Sequence, residues 1–149
     1  MKRIALAVIT LAALGAVRLP AQGAGDAHPY RVIVNAENPV GLLTPQELSR
    51  LFLAKTTTWA FNGQPVLPVE PGGDSPARTA FIREIHHKSP ADLTVYWEQM
   101  VFQGKASPPP SESSDSEVMS YVRQHANAIG YVSAGARLTP DLKPITITR

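Results

Sequence analysis

The order of apolar and polar positions predicts four strands and four helices after residue 29. Runs of strand length cover residues 30–35, 65–69, 128–133 and 142–148, while apolar residues recur at helical spacing after positions 45, 76, 90 and 115. The predicted order is strand, helix, strand, helix, helix, helix, strand, strand. Strands that alternate with helices indicate an α/β fold with parallel strand pairs and right-handed crossovers.

Each predicted helix begins at a side chain that can cap free backbone amides. Thr44 with Glu47 and Ser114 with Glu117 are capping boxes, and a serine followed by a proline opens the helices at 76 and 90. These signals predict helices over about 45–54, 76–88, 90–104 and 115–127. Residues 105–115 hold three consecutive prolines and four serines. This composition predicts a long exposed loop.

The stretch 66–81 predicts a strand, a glycine turn and the start of a helix, and it is the best candidate for a site. Free amides and the positive end of a helix point outward there, which favours phosphate, sulfate or carboxylate. Arg78 adds a planar fork for two oxygens, whereas Asp74 repels a dianion and Pro76 removes one donor. A capped helix start that binds only water is the alternative. The candidate ligand-binding residues are Gly73, Ser75, Ala77, Arg78 and Thr79.

The first 25 residues have the pattern of a secretory signal peptide. Lys2 and Arg3 precede an apolar run over 4–17 that is too short to span a membrane, and small residues at 21–25 mark the expected cleavage region. A membrane anchor is the alternative. We expect export to the periplasm, leaving residues 26–149 as one domain without a membrane anchor. Since the chain has no cysteine, its stability must come from a packed core.

The charge balance argues against nucleic acid as a partner. The chain has 14 basic and 12 acidic residues, but Lys2, Arg3 and Arg18 lie in the predicted signal peptide, which leaves 14 − 3 = 11 basic residues against 12 acidic ones. Nucleic acids and anionic membranes are bound by basic faces. A mature chain with a net charge near −1 is not expected to provide one.

The sequence offers no pattern for catalysis, a metal or a cofactor. It has neither cysteine nor a Gly-x-Ser-x-Gly elbow. His86 and His87 are neighbours whose side chains point about 100° apart on a helix, so they cannot chelate one ion, and we expect them to be solvated at a helix end. Trp59 and Trp97 are expected to pack in the core rather than on a ligand. We therefore predict no catalytic residue, no metal and no cofactor.

Several blocks, in this order along the chain, carry a family resemblance: residues 32–35 with 38–40, residues 43–48 with 51–55 and Trp59, Gly73-Asp74-Ser75 before Phe81, and Ala128-Ile129-Gly130-Tyr131-Val132. With them the chain resembles the substrate-binding component of phosphate ABC transporters. The resemblance implies one lobe of a type II periplasmic-binding-protein fold, with a mixed, mostly parallel sheet flanked by about four helices.

The resemblance does not extend to the whole anion site. In the family, glycine and threonine follow the helix-start serine and an arginine precedes it by four residues. Pro76, Ala77 and Pro71 stand at those positions here. Family members also clamp the anion between two lobes, whereas this chain has room for one.

Two functions follow as hypotheses. The first is a secreted, non-enzymatic binding module that offers the turn 72–78 to phosphate or another oxyanion, with a homodimer as one way to cover the open half of the cleft. The alternative is an interaction or regulatory protein that kept the lobe, lost ligand binding and contacts a membrane transporter or a sensor protein.

Overall fold

The computed structural model describes residues 28–148, so the predicted signal peptide and its cleavage region lie outside the described part. None of the helices in this part is long and apolar enough to cross a membrane. The elements follow in the order β1 Tyr30–Asn35, β2 Leu42–Leu43, α1 Pro45–Phe52, β3 Leu67–Pro71, α2 Pro76–Ile85, α3 Pro90–Phe102, β4 Ser111–Glu112, α4 Asp115–Gln124, β5 Ala128–Ser133, β6 Leu142–Pro144 and β7 Thr146–Ile147.

Five strands form a mixed sheet in the order β4-β3-β5-β1-β6, and β2 pairs with β7 separately. β3 runs parallel to β4 and β5, whereas β1 is antiparallel to β5 and β6. The β2–β7 pair is also parallel. Two of the four pairs within the five-stranded sheet are parallel, and with the separate β2–β7 pair three of the five pairs are. This confirms the predicted mixed α/β fold with mostly parallel strand pairs and four helices.

The sheet is covered on both faces. One face of β1 and β5 presents Val32 and Tyr131 to α1 and α2, in a cluster that includes Phe52 and Phe81. The opposite face packs against α4 through a cluster that includes Ile33, Val69, Val118, Val122 and Val132. Because both faces are buried, the strands are apolar at consecutive positions, as in other sheets that lie between helices.

The four helices start where the capping signals predict, but they end earlier. α1 ends at Phe52, and Ala54 has a φ of 54°, which is incompatible with a right-handed α-helix. α2 stops at Ile85, and His87 takes a φ of 53°. Starts are fixed by local side-chain hydrogen bonds, whereas these ends depend on how the chain turns to meet its neighbours.

The predicted long exposed loop over 105–115 contains a short strand that the sequence pattern does not predict. Most of this segment is exposed, but Ser111 and Glu112 form a short strand. The Glu70 amide donates to the carbonyl of Pro110 at 3.1 Å, and the Gly72 amide donates to the carbonyl of Glu112 at 2.8 Å. The loop is thereby held along the edge of β3, next to the candidate site.

Both tryptophans pack as predicted. Trp59 is buried and donates its indole N–H to the carbonyl of Asn127 at 2.9 Å. Trp97, on the inner face of α3, is buried in a cluster with Leu53, Ile82 and Leu93. Neither indole is free to act as a stacking platform for a ligand.

Candidate functional site

The predicted glycine turn lies between the end of β3 and the start of α2. Gly73 and Asp74 are exposed, and Gly73 has a φ of 63°, a conformation that glycine adopts without strain. Ser75 caps α2, and Pro76 occupies the first helical position. The order of strand, turn and helix is therefore as the sequence predicts.

The five candidate residues lie between positions 73 and 79, from the glycine turn into the first turn of α2, but several of their donors are already engaged. The Ser75 hydroxyl accepts a hydrogen bond from the Arg78 amide at 3.4 Å, and the Thr79 amide donates to the Ser75 carbonyl at 3.0 Å. Ala77 is only 1 % exposed, whereas Gly73 and Thr79 face solvent. The exposed residues of this segment are therefore Gly73, Asp74, Pro76 and Thr79, while Ser75 and Arg78 are half-buried.

Arg78 is paired with a buried carboxylate. Its Nε and Nη2 donate to Glu70 Oε1 at 3.3 and 3.0 Å. The hydroxyl of Tyr131 donates to the other oxygen, Glu70 Oε2, at 3.3 Å. Glu70 lies in β3 and is 5 % exposed. These bonds use two of the five N–H groups that a guanidinium carries, so its other donors remain for a ligand.

Burial dominates the electrostatics of this network. It raises the pKa of the Glu70 carboxyl, although the Arg78 guanidinium and the Tyr131 hydroxyl act in the opposite direction. Burial, reinforced by the nearby Glu70 charge, also raises the pKa of Tyr131 far above its usual range. Tyr131 therefore stays a phenol that donates to Glu70. An ionised Glu70 cancels much of the charge that Arg78 presents.

Sequence reasoning missed Glu70 and Tyr131 as parts of this site. An acid inside an otherwise apolar strand, eight residues before Arg78, was the available signal for Glu70, because a buried charge requires a partner. Tyr131 lies close to Glu70 because β5 pairs with β3 in the sheet. The order of strands in a sheet cannot be predicted from the residues next to Tyr131 in the sequence.

A groove of about 610 Å³ opens beside the guanidinium. Its walls come from α3 and from the proline loop, and they are mostly apolar, with Glu98 as a further acidic residue. The lining residues are Glu70, Arg78, Thr94, Trp97, Glu98, Val101, Phe102, Pro108, Pro109 and Ser111.

The expectation that His86 is solvated is wrong. His86 is buried at the end of α2, and its Nδ1 lies 3.0 Å from the hydroxyl of Ser49 in α1. Burial, with help from nearby cations such as Lys88, lowers the pKa of His86 to about 4. So weak a base activates a serine hydroxyl poorly at neutral pH. We therefore interpret the pair as a polar cross-link between two packed helices. The exposed neighbour His87 fits the expectation.

Within residues 28–148, no group of three histidine, cysteine or acidic side chains is arranged to hold a metal ion. The chemistry at the 72–78 turn is that of hydrogen-bond donors and one partly neutralised cation. Such an arrangement can bind a small anion.

A family model described as the PBP superfamily domain matches residues 28–146. The chain belongs to this superfamily. The match covers β1 through the start of β7, so it includes the glycine turn, Glu70 and Arg78. A search among curated proteins finds no significant match.

Solved structures show the same fold. A protein from Clostridium perfringens, described as a phosphate ABC transporter substrate-binding protein with bound phosphate, is 24% identical with a TM-score of 0.60, over 80% of this chain and 44% of that chain. An ABC-type phosphate transport receptor from Vibrio cholerae is 19% identical with a TM-score of 0.55, over 80% of this chain and 46% of that chain. The matched part of this PBP superfamily chain thus spans less than half the length of these proteins.

Proposed function

We propose that this protein is a secreted, non-enzymatic binding module of the PBP superfamily that holds a small oxyanion at the turn 72–78. Phosphate is the first ligand to test, since a structural relative is described with phosphate bound. The observation that carries the proposal is the Arg78 guanidinium, which has donors to spare and lies in the first turn of α2, directly after an exposed glycine turn in the chain. Export to the periplasm is part of the same proposal.

The contacts of the site predict weak binding. The turn is open to water, where each hydrogen bond contributes about 0.5–1.5 kcal/mol net. Glu70 competes with the ligand for Arg78, and its negative charge opposes an incoming anion. A few such bonds correspond to a dissociation constant on the order of millimolar, or about −4 kcal/mol. The open site on the described residues is thus expected to bind less tightly than a closed two-lobed clamp.

Titration calorimetry of the secreted protein with phosphate, sulfate and acetate tests this function. We expect measurable heat with at least one oxyanion and its loss in Arg78→Ala. Arg83→Ala is the matched control, since Arg83 lies on the same helix but is exposed in its last turn, and it should bind like wild type. No heat at 10-fold above the expected millimolar constant, or equal heat from wild type and Arg78→Ala, would contradict the proposal.

A second candidate function is an interaction protein that kept the lobe and lost ligand binding. It is favoured by the Arg78–Glu70 pair, because a cation that is already partnered inside the chain needs no anion. The partner in this case is a membrane transporter or a sensor protein. A stoichiometric complex with such a protein that survives Ser75→Ala combined with Arg78→Ala would favour this function over the first.

A further inference from the structure

The groove beside Arg78 is larger than an inorganic oxyanion requires. Its volume is about 610 Å³, which lies within the range of about 300–1,000 Å³ that is typical of sites for whole organic molecules. A single tetrahedral ion such as phosphate or sulfate fills only a small part of such a volume. The size of the groove therefore indicates a ligand that has a body as well as an anionic group.

The walls of the groove are apolar on two sides. Trp97 and Val101 lie one helical turn apart on the same side of α3, and Phe102 continues this wall at the end of the helix. Pro108 and Pro109 contribute further apolar surface from the proline loop. Mostly apolar walls with a few polar groups are typical of sites for organic ligands. The body of the ligand is therefore expected to be apolar.

The guanidinium of Arg78 has one edge that is free to bind a second carboxylate. Its Nε and Nη2 both donate to Glu70 Oε1, whereas Nη1 makes no hydrogen bond to any of the residues 28–148. Nη1 and the second hydrogen of Nη2 form a planar pair of donors, from which a carboxylate accepts with both of its oxygens. Arg78 lines the groove, and 23 % of its side chain is exposed.

The charges of the groove favour a ligand with one negative charge rather than two. Among the residues that the structure describes, Arg78 is the single basic residue of the lining, and Glu70 and Glu98 are its acidic residues. With both carboxyl groups ionised, the net charge of the lining is 1 − 2 = −1. A dianion such as sulfate is therefore repelled more strongly than a monoanion.

We propose that the groove beside Arg78 binds an organic monocarboxylate with an apolar body. The carboxylate accepts hydrogen bonds from the free edge of Arg78, and the body packs against Val101 and the proline loop. Ser111 lines both this groove and the recess beside Gly73, so the groove adjoins the turn 72–78. The inference rests on the proposed function, because it takes Arg78 as the residue that binds the oxyanion, and it names the chemical class of the ligand.

Titration calorimetry of the secreted protein with acetate, butanoate and hexanoate tests this class of ligand. We expect the affinity to rise at least about twofold for each added CH2 group, since full burial of each group would give about fourfold. Hexanamide has the same chain without the charge, and it should bind at least about tenfold more weakly than hexanoate. Acetate should bind more tightly than sulfate, because sulfate brings a second negative charge to the acidic lining.

A pair of valine variants on α3 tests whether the chain of the ligand lies in the groove. Val101→Asn should weaken the binding of hexanoate at least about fivefold and leave acetate within about twofold of wild type. Val95→Asn is the matched control. Val95 lies on the same helix and is 51 % exposed against 54 % for Val101, but it does not line the groove. It should bind hexanoate like wild type, and both variants should keep the circular dichroism spectrum of the wild type.

The same titrations separate this inference from the proposed function. Equal affinities for acetate and hexanoate, with both lost in Arg78→Ala, would overturn the inference and leave the proposed function standing. The same holds for a protein that binds sulfate more tightly than acetate, or for Val101→Asn and Val95→Asn variants that bind hexanoate equally well. No heat with any of these anions would contradict the proposed function itself.

Discussion

At the scale of single residues, Glu70 controls how much charge Arg78 can offer to a ligand. The carboxylate is buried, and both of its oxygens accept hydrogen bonds, from Arg78 and from Tyr131. Its pKa is raised by burial. When Glu70 takes up a proton its negative charge disappears, and the Arg78 guanidinium keeps its own charge for an anion.

The substitution Glu70→Gln should therefore strengthen oxyanion binding about tenfold, which corresponds to about 1.4 kcal/mol. Sulfate is the best probe, because it does not titrate in the range used. For wild type, we expect the affinity for sulfate to rise as the pH falls from 7 to 5. Burial raises the pKa of Glu70, and each Glu70 that takes up a proton loses the negative charge that opposes the anion. Calorimetry at both pH values measures this.

The same titration of Glu70→Gln is the control for the source of the pH dependence. Its affinity for sulfate should change much less between the two pH values, because no carboxyl remains at position 70. A variant that binds sulfate no better than wild type would contradict the role assigned to Glu70.

At the scale of elements, α4 lies so close to the sheet that one strand position must be glycine. A Cβ at Gly130 would come within 2.9 Å of Val69 Cγ1, 3.0 Å of Val118 Cγ1 and 3.2 Å of Val122 Cγ2. These groups lie in β3 and α4, on the face of the sheet opposite Tyr131. The glycine in the Ala-Ile-Gly-Tyr-Val strand thus sets the separation between α4 and the sheet.

Gly130→Ala should destabilise the protein by about 1–3 kcal/mol, the usual cost of overpacking a close-packed core. Urea unfolding measures the change in the free energy of unfolding. Gly135→Ala is the matched control, because a Cβ at Gly135 meets no atom within 4 Å, and it should stay within about 0.5 kcal/mol of wild type. Equal stabilities of the two variants would show that α4 does not limit the space at Gly130.

The helix starts were predicted well because the capping signals depend only on residues that are neighbours in the sequence. The predicted capping box at Thr44 is present in the structure, and Ser114 caps α4, but the Glu117 carboxylate accepts from the Ser113 amide instead of closing the box predicted at Ser114. The strand of two residues at Ser111–Glu112 could not be predicted, because it forms only where the proline loop meets the edge of β3. His86 was misassigned for a related reason: a residue at a helix end is buried or solvated according to what packs over it, here α1.

At the scale of the whole molecule, the sequence predicted the fold class and the position of the glycine turn, but not the environment of that turn. Arg78 follows the turn closely in the sequence, so its place in the first turn of α2 could be predicted from the capping signal at Ser75. The position of Tyr131 beside Glu70 follows from the order β3-β5 in the sheet, and the groove follows from the packing of α3 and the proline loop. Long-range contacts of this kind are set by the complete fold.

We expect the turn 72–78 to hold an oxyanion. Phosphate titration followed by ¹⁵N–¹H NMR tests it most directly, because every backbone amide of the turn except that of Pro76 is observed separately. We expect chemical-shift changes that saturate at phosphate concentrations on the order of millimolar. They should be largest at Gly73, Ser75, Ala77, Arg78 and Thr79 and absent in Arg78→Ala. Unchanged spectra, or shifts confined to residues away from this turn, would contradict it.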